Sequence, residues 1–92
     1  MSSRYSELEK FSTPAELLNW WMHLGQGQRP YQAAILCNMP RSMFVGILEG
    51  RWPITEKIAR CLGHGTGIPQ YIWLNLEMKY QDALWRERQA DA

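Results

Sequence analysis

Cysteine is scarce in this 92-residue sequence, and its scarcity removes a whole class of small proteins from consideration. Cys37 and Cys61 are the only two, they are far apart in the chain, and each sits among apolar neighbours in a helical pattern. No disulfide framework is expected from them. Adding His23 and His64 does not make a zinc site: Cys61-x-x-His64 has tolerable local spacing, but no second close ligand pair completes it. No metal or other cofactor is expected. Long hydrophobic runs are also missing, because charges, Gly and Gln interrupt every stretch well short of the roughly 20 residues of a membrane span. The opening MSSRYSELEK lacks the apolar centre of a secretory signal, so the cytoplasm is the expected location and no membrane partner is expected. Charge of one sign is equally scarce, since a formal net charge of +1 does not by itself advertise nucleic acid. Alternation of the β type never lasts beyond a few residues, and there is no internal repeat. Catalytic patterns are absent as well: no phosphate-binding Gly-rich loop after a strand, no paired carboxylates near a histidine, no nucleophile with a base at motif spacing. An enzyme is not expected.

What the sequence does have is apolar mass and helical periodicity. Hydrophobic residues make up 46% of the chain and five are Trp, enough for one core in one domain. Residues 1–12 are expected to be a flexible segment, followed by a single domain over 13–92. Thr13, Pro14 and Glu16 form a capping box, and Leu17, Leu18, Trp21 and Leu24 continue a first helix to about Leu24, where GQGQ stops it. Pro30 opens a second helix over about 30–37, with Asn38 as a left-handed cap. A third runs over about 40–49 and is closed by Gly50. Trp52-Pro53 forces an extended link, and Thr55 caps a fourth helix over Glu56 to Leu62, with GHGTG expected to break order after it. Pro69 leads a long final helix with Trp73, Leu76, Tyr80 and Leu84 on one stripe. The expected class is all-α, with five helices.

Helices two and three carry the functional pattern. Two short helices joined by a link of about three residues make a helix-turn-helix, whose second helix enters the major groove with its N-terminal residues first. In NMPRSMFVGILEGRWPIT, residues 38–55, Phe44, Ile47 and Leu48 fall on the inward side of that helix, while Ser42, Val45 and Glu49 face away and Arg41 stands at its start. An Arg in that place can make a bidentate contact to guanine, a hydroxyl can bond a base or phosphate, and an apolar side chain can meet a thymine methyl. Charge is distributed in keeping with this. Between Arg29 and Arg60, five basic residues (Arg29, Arg41, Arg51, Lys57, Arg60) face two acidic ones (Glu49, Glu56), a net +3, while the flanks are near neutral or acidic.

From Pro14 to about Leu84 the chain resembles the HigA-like antitoxin branch of the lambda-repressor-like (Cro-type) helix-turn-helix family. The matching points are Tyr31 and Ala34, then PRS at Pro40 to Ser42, then Ile47, Gly50 and the PIT of Pro53 to Thr55, then Ala59 and Leu62. The most specific is WLNLEMKY at Trp73 to Tyr80. The resemblance implies a compact five-helix DNA-binding regulator, an antitoxin or phage-type repressor acting as a homodimer on double-stranded DNA, with a cognate toxin as a possible second partner. It gives Arg41 and Ser42 the base- and phosphate-contacting positions at the start of the recognition helix and Arg51 a place near the DNA backbone; beside them Val45 is an expected base contact as an outward apolar residue, and Arg29 and Tyr31 are expected backbone contacts. Arg29 and Pro30 stand where the family usually has Ser-Gln, so a charge replaces a phosphate-bonding side chain. In the final helix the matched residues pack and, in some members, form the dimer; Ile72, Met78 and Trp85 are the expected contacts, and Asn75 an expected structural hydrogen bonder.

Plainer readings stand beside these. Of the adjacent Trp20 and Trp21, one belongs in the core and one at its rim, unless the pair anchors a partner protein. Trp52 reads as a plug over the core, with a base-stacking residue as the lesser alternative. Met43 and Val45 form either an outward apolar strip or, for Met43, a side chain folded against its own helix. The same fold used as a protein-interaction module, binding a toxin or another protein through Trp20/Trp21 or Met43/Val45, is the alternative function.

Overall fold

Thr13 starts the first helix as its sequence predicts: its Oγ1 accepts the Glu16 N–H at 3.1 Å, and Glu16 Oε1 reaches back to the Ser12 N–H at 2.8 Å. The computed structural model describes residues 7–26 and 29–91. It holds five α-helices: α1 (Pro14–Trp20), α2 (Pro30–Leu36), α3 (Arg41–Leu48), α4 (Glu56–Thr66) and α5 (Gln70–Asp91). There is no strand among the described residues, so the architecture is all-α with a long C-terminal helix. Among the described residues, no helix is long and apolar enough to cross a membrane.

Two short helices end in the same device. After α2 the N–H of Met39 bonds Ala34 O at 3.1 Å and that of Asn38 bonds Ile35 O at 3.0 Å, with Asn38 left-handed at φ 54°. After α3 the N–H of Arg51 bonds Gly46 O at 2.8 Å and that of Gly50 bonds Ile47 O at 3.1 Å, with Gly50 at φ 75°. Both are Schellman closures, which satisfy the last carbonyls and turn the chain sharply. Thr55 Oγ1 caps α4 by accepting the Ile58 N–H at 3.3 Å.

The core gathers Leu17 and Leu18 from α1, Ala33 and Ala34 from α2, Phe44 and Ile47 from α3, Ile58, Ala59 and Leu62 from α4, and Ile72, Trp73 and Leu76 from α5. α5 packs on α4 and α1, α3 on α1 and α2, and α2 on α4. Trp73 is fully buried, and its indole Nε1 has no hydrogen-bond partner among the described residues.

Several expectations are corrected. Of the segment expected to be flexible, residues 1–6 lie outside the described residues, but Glu7–Lys10 forms a 3-10 helix with Leu8 buried. Lys79 straps it to α5, donating from Nζ to Glu9 O at 2.8 Å and Phe11 O at 2.9 Å. The first helix leaves α geometry at Trp20 and continues as a π-helical turn over Trp21–Gln26. Helix four does not stop at Leu62: it runs through Gly63 and Gly65 to Thr66 and closes on left-handed Gly67. Those glycines serve packing. A methyl on Gly65 would stand 2.7 Å from Cys37 Cα and 2.8 Å from Cys37 N, so only glycine lets α4 lie this close to the end of α2.

Candidate nucleic-acid interface

α3 owes its position to its buried side. Phe44, Gly46 and Ile47 are buried and Leu48 is half-buried, which fixes the rotation of the helix and leaves Arg41 and Ser42 exposed. Pro40 precedes the helix in extended conformation and gives no side-chain cap. The early N–H groups of α3 therefore have no capping side chain, the condition under which a helix start accepts an anion.

Arg41, Ser42 and Val45 converge with Arg51 and Trp52 on one open cleft. All three residues expected to touch bases thus meet one of the three expected to touch the backbone. The closure at Gly50 supplies Arg51, because it folds the chain back along the last turn of α3. Trp52, expected chiefly as a plug over the core, stands there too. Its side chain lies over Gly46, where a methyl would come within 3.3 Å of the ring, yet 43% of the residue stays exposed at the cleft. It covers part of α3 and walls the surface at the same time.

The charge on this surface is smaller than the residue tally suggests. Arg51 is committed to Glu49: a guanidinium nitrogen lies 2.6 Å from Glu49 Oε1, and Arg51 Nε donates to the same oxygen at 2.8 Å. Arg41 has no ion-pair partner among the described residues. Arg29 and Tyr31, the other two expected backbone contacts, are exposed at the start of α2 and do not line the cleft. There the Arg29 N–H donates to Gln32 Oε1 at 3.3 Å.

Met43 is half-buried and packs on the core, so only Val45 remains of the expected outward apolar strip. Trp21 packs on the core and Trp20 lies at the rim, its ring 5.8 Å from that of Phe11. The expected dimer contacts divide. Met78 and Trp85 are 68% and 59% exposed, whereas Ile72 is fully buried and cannot meet a second chain. The reason is that α5 is held between α4 and α1 and buries a wider arc than a single stripe. Asn75 is exposed and makes no side-chain hydrogen bond among the described residues, contrary to its expected structural role. No group of three or more His, Cys, Asp and Glu side chains among the described residues is placed to hold a metal ion.

Comparison with protein-family models, with curated proteins and with solved structures gives no match to this chain.

Proposed function

We propose that this chain is a DNA-binding transcriptional regulator, an antitoxin or phage-type repressor of the lambda-repressor-like helix-turn-helix kind that acts at a promoter as a dimer. The observation that carries the reading is the convergence of Arg41, Ser42 and Val45 from the first turns of α3 with Arg51 on one open cleft. With α3 in a major groove, Arg41 takes guanine O6 and N7, Ser42 a base edge or phosphate, and Val45 a thymine methyl. Arg51 exchanges Glu49 for a phosphate, and Arg29 and Tyr31 meet the backbone from α2. Two copies then read half-sites about 34 Å apart. Support for a two-fold contact comes from Tyr71, Met78 and Trp85, exposed at seven-residue spacing along about 21 Å of α5.

A gel shift on the region upstream of the chain's own gene, across a salt series, tests this. Arg41→Ala should cost about 1–3 kcal/mol on the specific site and relax base preference there. Its circular dichroism should stay that of the parent, because Arg41 is exposed. Equal affinity of variant and parent would remove Arg41 from its role.

One observation favours the alternative of a protein-interaction module. Tyr31 and Ile35, at four-residue spacing on α2, are 60% and 61% exposed, and Leu36 is exposed beside them. That apolar face suits a protein, such as a toxin, better than phosphates. No shift of any duplex at low salt would promote this second reading.

A further inference from the structure

Cys37 and Cys61 are distant in the sequence, but the fold brings them to one cleft. Cys37 is fully buried at the C-terminal end of α2, Cys61 is half-buried on α4, and both line an open cleft with Asn38, Arg60 and His64. Gly65 shows how closely they approach. Its missing methyl would overlap Cys37 Sγ as well as the Cys37 backbone, so the Cys37 thiol occupies the place of side chain 65 on α4. Position 65 is four residues beyond Cys61, and such helical neighbours have Cβ atoms about 5–6 Å apart. Helical side chains also tilt toward the N-terminus, so the space over position 65 lies on the Cys61 side of it. A side-chain rotation and a small slide of α2 along α4 then reach the roughly 3.8 Å between Cβ atoms that a disulfide needs.

We propose that Cys37 and Cys61 are a peroxide-responsive thiol pair that closes into a reversible intramolecular disulfide between α2 and α4. Cys61, the solvent-accessible member, reacts first. Its thiolate sulfur attacks one oxygen of hydrogen peroxide, the O–O bond breaks, and the departing hydroxide takes up a proton to leave as water, with Cys61 oxidised to the sulfenic acid. Cys37 sulfur then attacks Cys61 sulfur, the S–O bond breaks, and the departing hydroxide leaves as water with the Cys37 proton. Two thiols and one peroxide give one disulfide and two waters, a two-electron oxidation. The order of the steps follows from burial, which pushes the Cys37 thiol up from 9.0 to about 11, with the neighbouring Cys61 as the smaller cause. Cys37 waits as a protonated thiol and serves as the resolving partner. The covalent ring runs over residues 37–61 and encloses all of α3.

The pair is tested without DNA, so its failure and that of the regulator reading are separable. The 92-residue chain is treated with stoichiometric hydrogen peroxide at neutral pH, alkylated with N-ethylmaleimide, and weighed intact. The expected product is a monomer lighter by two hydrogens that takes up no maleimide. Its tryptic peptides 11–41 and 61–79 are joined, and dithiothreitol restores both thiols. Cys61→Ser, at a half-exposed position that tolerates a hydroxyl, should abolish the lighter species. Two alkylated thiols after excess peroxide, Cys61 recovered as sulfinic acid, a disulfide between two chains, or a lighter monomer in Cys61→Ser would each overturn the proposal.

Discussion

Replacing Gly65 with alanine should lower the stability of the domain even though α4, taken alone, gains from it. In a helix interior Ala is favoured over Gly by about 1 kcal/mol. Against this, the new methyl stands 2.7 Å from Cys37 Cα and 2.8 Å from Cys37 N and overlaps the thiol. Carbon contacts settle at about 3.5–4.0 Å, and two of these obstacles are backbone, so the end of α2 must move away from α4. Overpacking of this kind costs about 1–3 kcal/mol, and three simultaneous overlaps put Gly65→Ala at the upper end. The net loss is about 2 kcal/mol. With an unfolding entropy of about 2.1 cal/mol/K per residue, that lowers Tm by about 10 °C for a chain of this size. Thermal melts and urea titrations by circular dichroism read both quantities. In a Cys37→Ala background the penalty should persist, because N and Cα remain when the sulfur is gone. A Tm at or above the parent's would mean that helix propensity wins, that α4 does not press on the end of α2, and that the Cys37–Cys61 juxtaposition is lost with it.

Phe44→Ala should destabilise the domain by about 3–5 kcal/mol through a core cavity, since Phe44 is fully buried; a urea midpoint near the parent's would mean the rotation of α3 is wrong. Glu49→Gln should release Arg51, tighten binding to DNA of any sequence severalfold at low salt, and steepen the salt dependence by about one phosphate's worth. Unchanged binding would take Arg51 out of the interface. Stability should fall as pH rises from about 9 to about 11, because the folded chain keeps the Cys37 proton that the unfolded chain releases. The contribution is fully present below pH 9 and amounts to about 2–3 kcal/mol when lost. Cys37→Ala should flatten that part of the profile, and identical slopes in parent and variant would refute the assignment.

What the sequence disclosed were features set by one residue acting locally. Thr13 and Thr55 cap their helices, Asn38 and Gly50 turn the chain in left-handed conformations, and Phe44 and Ile47 fall inward at helical spacing. Features that depend on what lies across the core were misplaced or missed. Gly63 and Gly65 read as helix breakers because propensity is local, whereas Gly65 admits the end of α2 and Gly63 the backbone of Ile68 and Gln70 at the start of α5, approaches that no periodicity records. Ile72 reads as marginal when a helix is imagined against a single neighbour; held between α4 and α1, the helix buries it completely. Trp52 comes to the cleft only because Gly46, six residues earlier in α3, leaves room for its ring. The nearness of Cys37 and Cys61 has no signal in the sequence at all.

The charge of the proposed interface makes the same point energetically. A tally over residues 29–60 counts Arg51 as a free cation, but the closure at Gly50 places its guanidinium on Glu49 and cancels it in the unbound chain. Both partners are more than half exposed, and such a pair is worth at most about 1 kcal/mol, so giving it up for a phosphate costs little. Glu49 then remains beside the DNA as a like charge. The exchange therefore returns less than a full phosphate contact, and non-specific attraction through this surface is weak. In the proposed reading, binding draws on Arg41 reading a base and on a second copy doubling the contacts, so operator affinity should fall steeply when the Met78–Trp85 face of α5 is blocked. Met78→Glu with Trp85→Glu puts this to a measurement: the fold should stay intact by circular dichroism, light scattering should report a monomer, and operator affinity should drop at least tenfold. A double variant that remains dimeric, or a monomer that still binds the operator with parental affinity, would disconnect α5 from the proposed function.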